Sequence, residues 1–159
     1  MCKNRHIMGF SEYHRKWAGI FMHFSKNLLH IWHLWWAMIY TDRADAHLLH
    51  EKFEAAVADA DRALRITPNA ADVLFTRARA LHRMGRADDA LRDLEAALKL
   101  EPRSASIYAY RALIYLERGE LEDAIGDANI AHYYNPTLQI PDLVRARVAA
   151  AQQFSYHRA

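Results

Sequence analysis

Three prolines recur at a fixed interval along this chain. Pro68, Pro102 and Pro136 are equally spaced in the sequence. A true structural repeat keeps its period at several positions at once. Three further sets of residues keep this period: Ala56, Ala90 and Ala124; Ala63, Ala97 and Ala131; and Asp59, Asp93 and Asp127. The sequence therefore predicts three copies of one unit, each as long as the interval between two of these prolines.

The dipeptide Arg-Ala keeps the same period and occurs once more after the last proline, at Arg43-Ala44, Arg77-Ala78, Arg111-Ala112 and Arg145-Ala146. Its arginines, together with the periodic aspartates, are open to two interpretations. They are either a charged surface for a ligand or intramolecular Arg-to-Asp contacts that fix the stacking of adjacent helices. Recurrence in every unit favours the intramolecular contacts.

Each unit has the pattern of two helices joined by a turn. In the second unit, a periodic apolar stretch over residues 71–84 is interrupted at Gly85 and resumes over residues 87–100. The third unit has Gly119 at the same place, whereas the first unit has Glu51. Proline and glycine are scarce, at 4 and 5 residues, and helix-favouring residues dominate after residue 42. We expect helices throughout, with the first turn the least defined.

A helix-turn-helix period of about 34 residues, with small residues at fixed places and a closing proline, resembles the tetratricopeptide repeat family. The resemblance covers residues 37–136, with a fourth first helix to about residue 154. The second helices of the units are FEAAVADADRALRITP, ADDALRDLEAALKLEP and LEDAIGDANIAHYYNP. The resemblance implies an all-α fold, a right-handed superhelical solenoid of three repeats with a C-terminal capping helix and an aromatic-rich N-terminal helix.

The predicted domain organisation has five parts. A terminal repeat leaves one apolar face without a neighbour, so a cap is expected after the third repeat, and Pro141-Asp142 makes a good helix start for it. The parts are an N-terminal basic and aromatic docking segment with a long helix over residues 1–36, repeats over residues 37–70, 71–104 and 105–138, and a capping helix and tail over residues 139–159.

In the family, the first helix of every repeat lines a concave groove that receives partner segments. Carried over by register, the groove residues here are Asp42, Asp45, Asp72, Phe75, Thr76, Arg79, His82, Arg83, Tyr110, Leu113, Leu116 and Glu117. Some members hold the C-terminal carboxylate of a chaperone with a Lys, Asn and Arg constellation. This sequence departs from that constellation at two positions. Thr76 stands where the Asn of the second repeat is usual, and Tyr115 stands one helical turn after Arg111, where a basic residue is usual. A chaperone-tail adaptor is therefore disfavoured.

The N-terminal segment carries the individual character of the chain. Residues 1–41 contain five basic residues and one acidic residue, a balance of +4, whereas the remainder has 16 basic and 18 acidic residues, or −2. Large apolar side chains here recur at steps of three and four residues, which places many of them on one face of a helix. The predicted partner-binding residues of this helix are Trp17, Phe21, Phe24, Leu28, Ile31, Trp32, Trp35 and Trp36.

The surroundings of this helix have three alternatives. Its uncharged run, residues 27–41, is 15 residues long, whereas a bilayer span needs about 20 apolar residues. Full spanning, lying in a membrane interface and burial against partner proteins all remain open. A basic amphipathic N-terminus is also similar to a mitochondrial import signal. We expect an intracellular protein, with membrane lipid as a candidate contact and the mitochondrion as the candidate location.

Cofactor and enzyme chemistry have little support in the sequence. The single cysteine excludes an internal disulfide and a Cys-based zinc site. Metal or tetrapyrrole ligation by the pairs His30/His33 and His47/His50 is an alternative, but no carboxylate or cysteine completes a site. There is no Gly-rich phosphate loop, nucleophile elbow or His-Glu-x-x-His motif. We expect no enzyme activity, no cofactor and, without a continuous basic stripe, no nucleic acid partner.

The sequence thus predicts a non-catalytic scaffold that binds other protein subunits and needs no homo-oligomer. The primary interpretation is a structural or accessory subunit of a large assembly, membrane-associated and of the mitochondrial respiratory type, docked through the N-terminal helix. The alternative is a freestanding adaptor or co-chaperone that binds a partner peptide in the concave groove.

Overall fold

The computed structural model describes the backbone of residues 32–156 and the side chains of residues 32–150. The chain divides into two compact parts, Met1–Trp36 and Ala37–Ala159. Only residues 32–36 of the first part are described, and the packing below concerns the second part, which contains the three repeat units. The described residues form seven helices and no strand, so the predicted all-α solenoid is confirmed. The helices are α1 (residues 32–49), α2 (Phe53–Ile66), α3 (Ala71–Arg83), α4 (Ala87–Leu100), α5 (Ala105–Arg118), α6 (Leu121–Tyr134) and α7 (Gln139–Tyr156).

The turn between the two helices of a unit has the same backbone in all three units. Its central residue is left-handed, with φ of 57° at Glu51, 78° at Gly85 and 77° at Gly119. The next amide N–H donates to a carbonyl five residues back, which caps the end of the first helix. These bonds are Lys52 to His47 at 2.8 Å, Arg86 to Leu81 at 2.9 Å and Glu120 to Tyr115 at 2.9 Å. Glu51 thus adopts a conformation that an L-residue reaches only at a cost.

Each second helix ends two positions before a repeat proline. A last amide donates back four residues to a periodic alanine, with N–O distances of 2.8 to 2.9 Å, and proline then prevents continuation of the helix. The bonds are Thr67 to Ala63, Glu101 to Ala97 and Asn135 to Ala131. The capping helix α7 begins at Gln139, two residues before the predicted start at Pro141, because the first turn of a helix tolerates a residue without an N–H donor.

Alanines hold the helix pairs together. The three periodic alanines of each unit are completely buried, and side chains this small let two helices approach closely. They are Ala44, Ala56, Ala63, Ala78, Ala90, Ala97, Ala112, Ala124 and Ala131. Larger apolar side chains such as Leu94 and Ile114 fill the space between units. Val144 and Val148 of α7 pack on Ala112 and Ala124, so the cap covers the apolar face of the third unit.

The periodic arginines and aspartates pair within each unit, as the intramolecular interpretation predicts. Two nitrogens of each arginine donate to the two carboxylate oxygens of a buried aspartate, over 2.5 to 2.9 Å. The pairs are Arg43 with Asp59, Arg77 with Asp93, and Arg111 with Asp127. The hydrogen bond from Arg43 lowers the pKa of Asp59, and the bond to Asp93 raises the pKa of Arg77. We call these the Arg–Asp pairs.

The middle pair also joins two units. Arg77 Nη1 donates to Asp61 Oδ1 of the preceding unit at 2.7 Å. Arg145, the fourth periodic arginine, instead contacts Asp142 of its own helix, because no second helix follows α7 in the described part of the chain.

Replacing Arg77 with alanine is expected to destabilise the fold by about 3 kcal/mol, since it leaves the buried carboxylate of Asp93 without its cation. The free energy of unfolding from urea denaturation measures the effect. Arg79→Ala on the same helix is the matched control. The Arg79 guanidinium lies over the Phe75 ring and has no ion pair among residues 32–150, so its loss is expected to cost within about 1 kcal/mol. Equal effects of the two substitutions would contradict the structural role of the pair.

Glu51→Gly is expected to stabilise the protein by up to about 1 kcal/mol, because glycine adopts the left-handed conformation without the cost that Glu51 carries. Gly119→Ala, at the equivalent turn of the third unit, makes the reverse change and is expected to have the opposite effect. A Cβ at Gly119 meets no atom within 4 Å, so its expected destabilisation, about 1 kcal/mol, reports backbone conformation alone. Thermal melts of both variants measure the difference, and shifts of the same sign would refute this account of the turn.

Candidate functional site

Side chains of the three first helices, α1, α3 and α5, meet on one surface. Thr76 Oγ1 of α3 donates to Asp45 Oδ1 of α1 at 2.8 Å. His82 of α3 contacts Tyr110 and Glu117 of α5. The structure therefore brings five of the groove residues inferred from register into two contacting groups. We call this surface of α1, α3 and α5 the groove.

His82 links α3 to α5 through both ring nitrogens. Nε2 lies 2.9 Å from Glu117 Oε2, and Nδ1 lies 3.0 Å from the Tyr110 hydroxyl. A carboxylate only accepts hydrogen bonds, so Nε2 carries a proton, and in the neutral ring Nδ1 accepts from the tyrosine. Both ring nitrogens thus have partners within the protein, and His82 orients Tyr110.

Tyr110 is the centre of an aromatic group in the groove. Its ring packs edge-on against Phe75, with centroids 5.8 Å apart, and against the His82 ring at 5.6 Å. Burial raises the pKa of the Tyr110 hydroxyl, while the charges of Arg79 and Arg83 oppose that shift. Both guanidinium groups therefore act electrostatically on the same hydroxyl.

A depression of about 260 Å³ lies beside Tyr110 in the groove. Its other lining residues are Leu48, Leu49, Glu51, Arg79 and Arg83. Leu48 is buried, but the side chain of Leu49 is 78% exposed and presents apolar surface to solvent. The depression thus combines an apolar wall from α1 with two cations from α3.

The two arginines of the depression differ in their partners. Arg83 lies 4.9 Å over the ring of Phe53 and pairs with Glu51 at 3.4 Å, where both side chains are exposed. Arg79 lies 5.7 Å over the ring of Phe75. Within residues 32–150, no carboxylate comes within ion-pair distance of Arg79. Its charge is available to a ligand.

The remaining predicted groove residues have other surroundings. Asp72 is exposed in the first turn of α3, where its carboxylate accepts the Val73 amide at 2.9 Å. Leu116 packs against the core of α5, α6 and α7, whereas Leu113 is half-buried and Asp42 is exposed. None of the contacts described for residues 32–150 joins these four to the depression.

Sequence reasoning missed Leu48, Leu49 and Glu51 as groove residues. The signal was present, because Leu48 and Leu49 stand one repeat period before His82 and Arg83, which the same reasoning selected. In the first unit, only Asp42 and Asp45 were predicted as groove residues. Glu51 gave no such signal, since it belongs to the turn.

Three of the predicted N-terminal partner-binding residues lie in the described part of the chain. The side chains of Trp32, Trp35 and Trp36 are 58%, 50% and 44% exposed. Trp35 contacts the other two edge-on, with centroids 6.2 and 6.0 Å apart. Trp17, Phe21, Phe24, Leu28 and Ile31 lie outside the described residues. Within residues 32–156, no helix has the length and apolarity to cross a membrane.

The described residues contain no group of three or more His, Cys, Asp or Glu side chains placed to hold a metal ion. His47 instead lies 3.6 Å from Asp59, beside the first Arg–Asp pair.

Comparison with known proteins identifies the repeat. Residues 45–114 match the sequence model of the tetratricopeptide repeat family. No curated protein matches the sequence significantly.

Solved tetratricopeptide repeat domains have the same fold. The first such domain of Spaghetti (RPAP3), bound to the HSP90 peptide SRMEEVD, is 17% identical with a TM-score of 0.71, covering 76% of this chain and 95% of that one. The domain of Arabidopsis OM64 is 15% identical with a TM-score of 0.72, covering 75% and 98%. The second domain of human RPAP3, in complex with the HSP70 peptide SGPTIEEVD, is 19% identical with a TM-score of 0.66, covering 72% and 95%. The sequence match over residues 45–114 and the architecture of the described residues agree on a fold built of tetratricopeptide repeats.

Proposed function

We propose that this protein is a non-catalytic scaffold that holds an extended segment of a partner protein in its groove. The observation that carries the proposal is the depression between α1, α3 and α5. There, exposed Leu49 and Arg79, which has no ion pair in the part of the chain with described side chains, lie beside Tyr110. An apolar surface next to convergent polar groups is the usual composition of a binding site. The tetratricopeptide repeat is itself an interaction module, typically without catalysis.

The Arg–Asp pairs offer no comparable binding site. Each of their three aspartates is buried and takes both oxygens to a periodic arginine. These charges are already neutralised inside the protein, and a ligand would have to displace a bidentate pair to reach them. The groove is the surface where charge and apolar area are available together.

The structural neighbours support a peptide as the ligand, since two of them were solved with the peptides SRMEEVD and SGPTIEEVD. The groove of this chain differs from a site for a terminal carboxylate at Thr76, whose hydroxyl is held by the carboxylate of Asp45. A negative charge at that place repels a ligand carboxylate. We therefore propose an adaptor-type groove with a ligand other than a chaperone tail.

A second contact surface is proposed for the N-terminal tryptophans. Trp32 and Trp35 are at least half exposed, and tryptophans often supply much of the energy of protein contacts. We propose that they dock the scaffold onto a larger protein assembly. A membrane-associated, mitochondrial assembly of the respiratory type stays a prediction from the basic and aromatic N-terminal segment, as does contact with lipid.

Peptide binding in the groove is testable by methyl NMR. Peptides enriched by the full-length protein from a random display library are expected to shift the methyl signals of Leu48 and Leu49, which line the depression. The signals of Leu100 at the end of α4 and Leu143 of α7 serve as internal controls and should stay in place, because both lie on other helices.

The proposal fails if the enriched peptides shift only Leu100 or Leu143, or if no peptide is enriched. In either case the depression would not be a peptide-binding site. Titration to saturation with each enriched peptide separates specific shifts from weak non-specific ones.

Docking by the tryptophans predicts that Trp32→Ser/Trp35→Ser releases the protein from its assembly while leaving the fold intact, because these side chains are exposed. Gradient sedimentation of the tagged full-length protein from its source cells measures release, and a thermal melt measures the fold. Leu143→Ser, at a side chain that is 49% exposed, is the matched control and should sediment like the unmodified protein.

Flotation with vesicles of phosphatidylcholine and phosphatidylserine distinguishes lipid from protein as the partner of the tryptophans. The docking proposal is wrong if the double variant still sediments with the assembly. It is also wrong if the tryptophans are required for flotation but not for sedimentation with the assembly.

A further inference from the structure

The guanidinium of Arg79 is exceptional among the arginines of the described residues. Four arginines there are half-buried, and three of them, Arg77, Arg111 and Arg145, each contact an aspartate. Within residues 32–150, Arg79 has no ion pair, and its guanidinium lies over the ring of Phe75. A partly desolvated cation is stabilised when an anion joins it, so this position favours a negatively charged ligand group.

Arg83 supplies a second cation that is only weakly engaged. It stands one helical turn after Arg79, and residues four apart lie on the same face of a helix. Its partner Glu51 is 3.4 Å away and mostly exposed, and exposed pairs of this kind contribute little. The ring of Phe53 lies beneath the guanidinium. An incoming carboxylate therefore competes only with Glu51 for Arg83.

Apolar surface lies beside the two arginines and comes from two different helices. Leu48 and Leu49 of α1 and the ring of Tyr110 of α5 line the same depression as Arg79 and Arg83. A residue within a chain has neighbours on both sides that can use these surfaces, whereas a chain terminus has a neighbour on one side only. This arrangement fits an internal side chain better than a terminal carboxylate.

We propose that the depression binds an internal aspartate or glutamate side chain of the partner segment, with its carboxylate between Arg79 and Arg83 and apolar neighbours on Leu49 and Tyr110. The proposal rests on the proposed function of the groove and names the chemistry that it recognises. Charge complementarity places this acidic residue in another protein, because residues 1–41 of this chain contain a single acidic residue, Glu12, among five basic ones.

Defined peptides test the proposal on the full-length protein. Short peptides with Leu-Glu-Leu, Leu-Gln-Leu or Leu-Lys-Leu at the centre, acetylated and amidated at their ends, are compared by fluorescence anisotropy and by the Leu49 methyl signal. The Glu peptide is expected to bind about tenfold or more tightly than the Gln peptide, as for other charge-assisted hydrogen bonds. This preference should weaken as salt is raised.

Variants assign the preference to the two arginines. Arg79→Ala and Arg83→Ala are each expected to remove most of the preference for Glu over Gln while leaving binding of the Gln peptide in place. Glu51→Gln removes the competing carboxylate and should strengthen binding of the Glu peptide. Arg79→Glu should transfer the preference to the Lys peptide. Arg103→Ala, at an exposed arginine in the turn before α5, is the matched control and should change nothing.

Other results separate the two levels of the proposal. If the peptides shift the Leu49 methyl but Glu and Gln bind equally, the acidic-residue proposal is overturned and the groove function stands. The same holds if Arg79→Ala keeps the preference. If a Gln peptide with a free C-terminus binds better than the capped Glu peptide, the bound group is a terminal carboxylate. That result would overturn the proposal of an internal acidic side chain. If no peptide shifts the Leu49 methyl, both the groove function and this proposal are wrong.

Discussion

Nine buried alanines, three in each unit, let paired helices approach closely, and the other features of this structure depend on that spacing. Each arginine of the Arg–Asp pairs reaches its aspartate across one such helix pair, 16 residues away in sequence. The two hydrogen bonds of each pair form only when the two helix backbones are close together and in register. The alanines therefore set the distance between helices, and the Arg–Asp pairs fix their register.

The Arg–Asp pairs and the groove use different charged residues of the first helices. Within each unit, the arginine and the aspartate of the Arg–Asp pair neutralise each other between the first and second helices. Charged residues of the first helices that do not belong to these pairs, such as Arg79 and Glu117, remain for contacts between units or with a ligand. Among the described side chains, the buried aspartates are thus all paired, whereas half-buried Arg79 in the groove has no carboxylate partner. Such a groove can discriminate partners by charge, since a mismatched charge there is costly.

The sequence predicted the helices, their ends and the Arg–Asp pairs because each depends on a local or periodic signal. Pro68 and its equivalents prevent helix continuation, and Arg77 recurs in step with Asp93. It predicted the groove less completely. Leu49 was missed although the period pointed to it. Leu116 was placed in the groove by register but packs against the core, because a half-buried position on α5 faces α6 and α7 as well as the groove.

The sequence by itself determined the repeat, since a period held at many positions admits one kind of architecture. Only the tertiary structure decided two features of the site. Glu51 takes the left-handed turn that glycine takes elsewhere, because the helices on both sides of it are held by packing that outweighs the local cost. Arg79 has no carboxylate partner among residues 32–150, because the side chains that line the depression with it from α1 and α5 are Leu48, Leu49 and Tyr110. Both depend on residues distant in sequence, which no local pattern encodes.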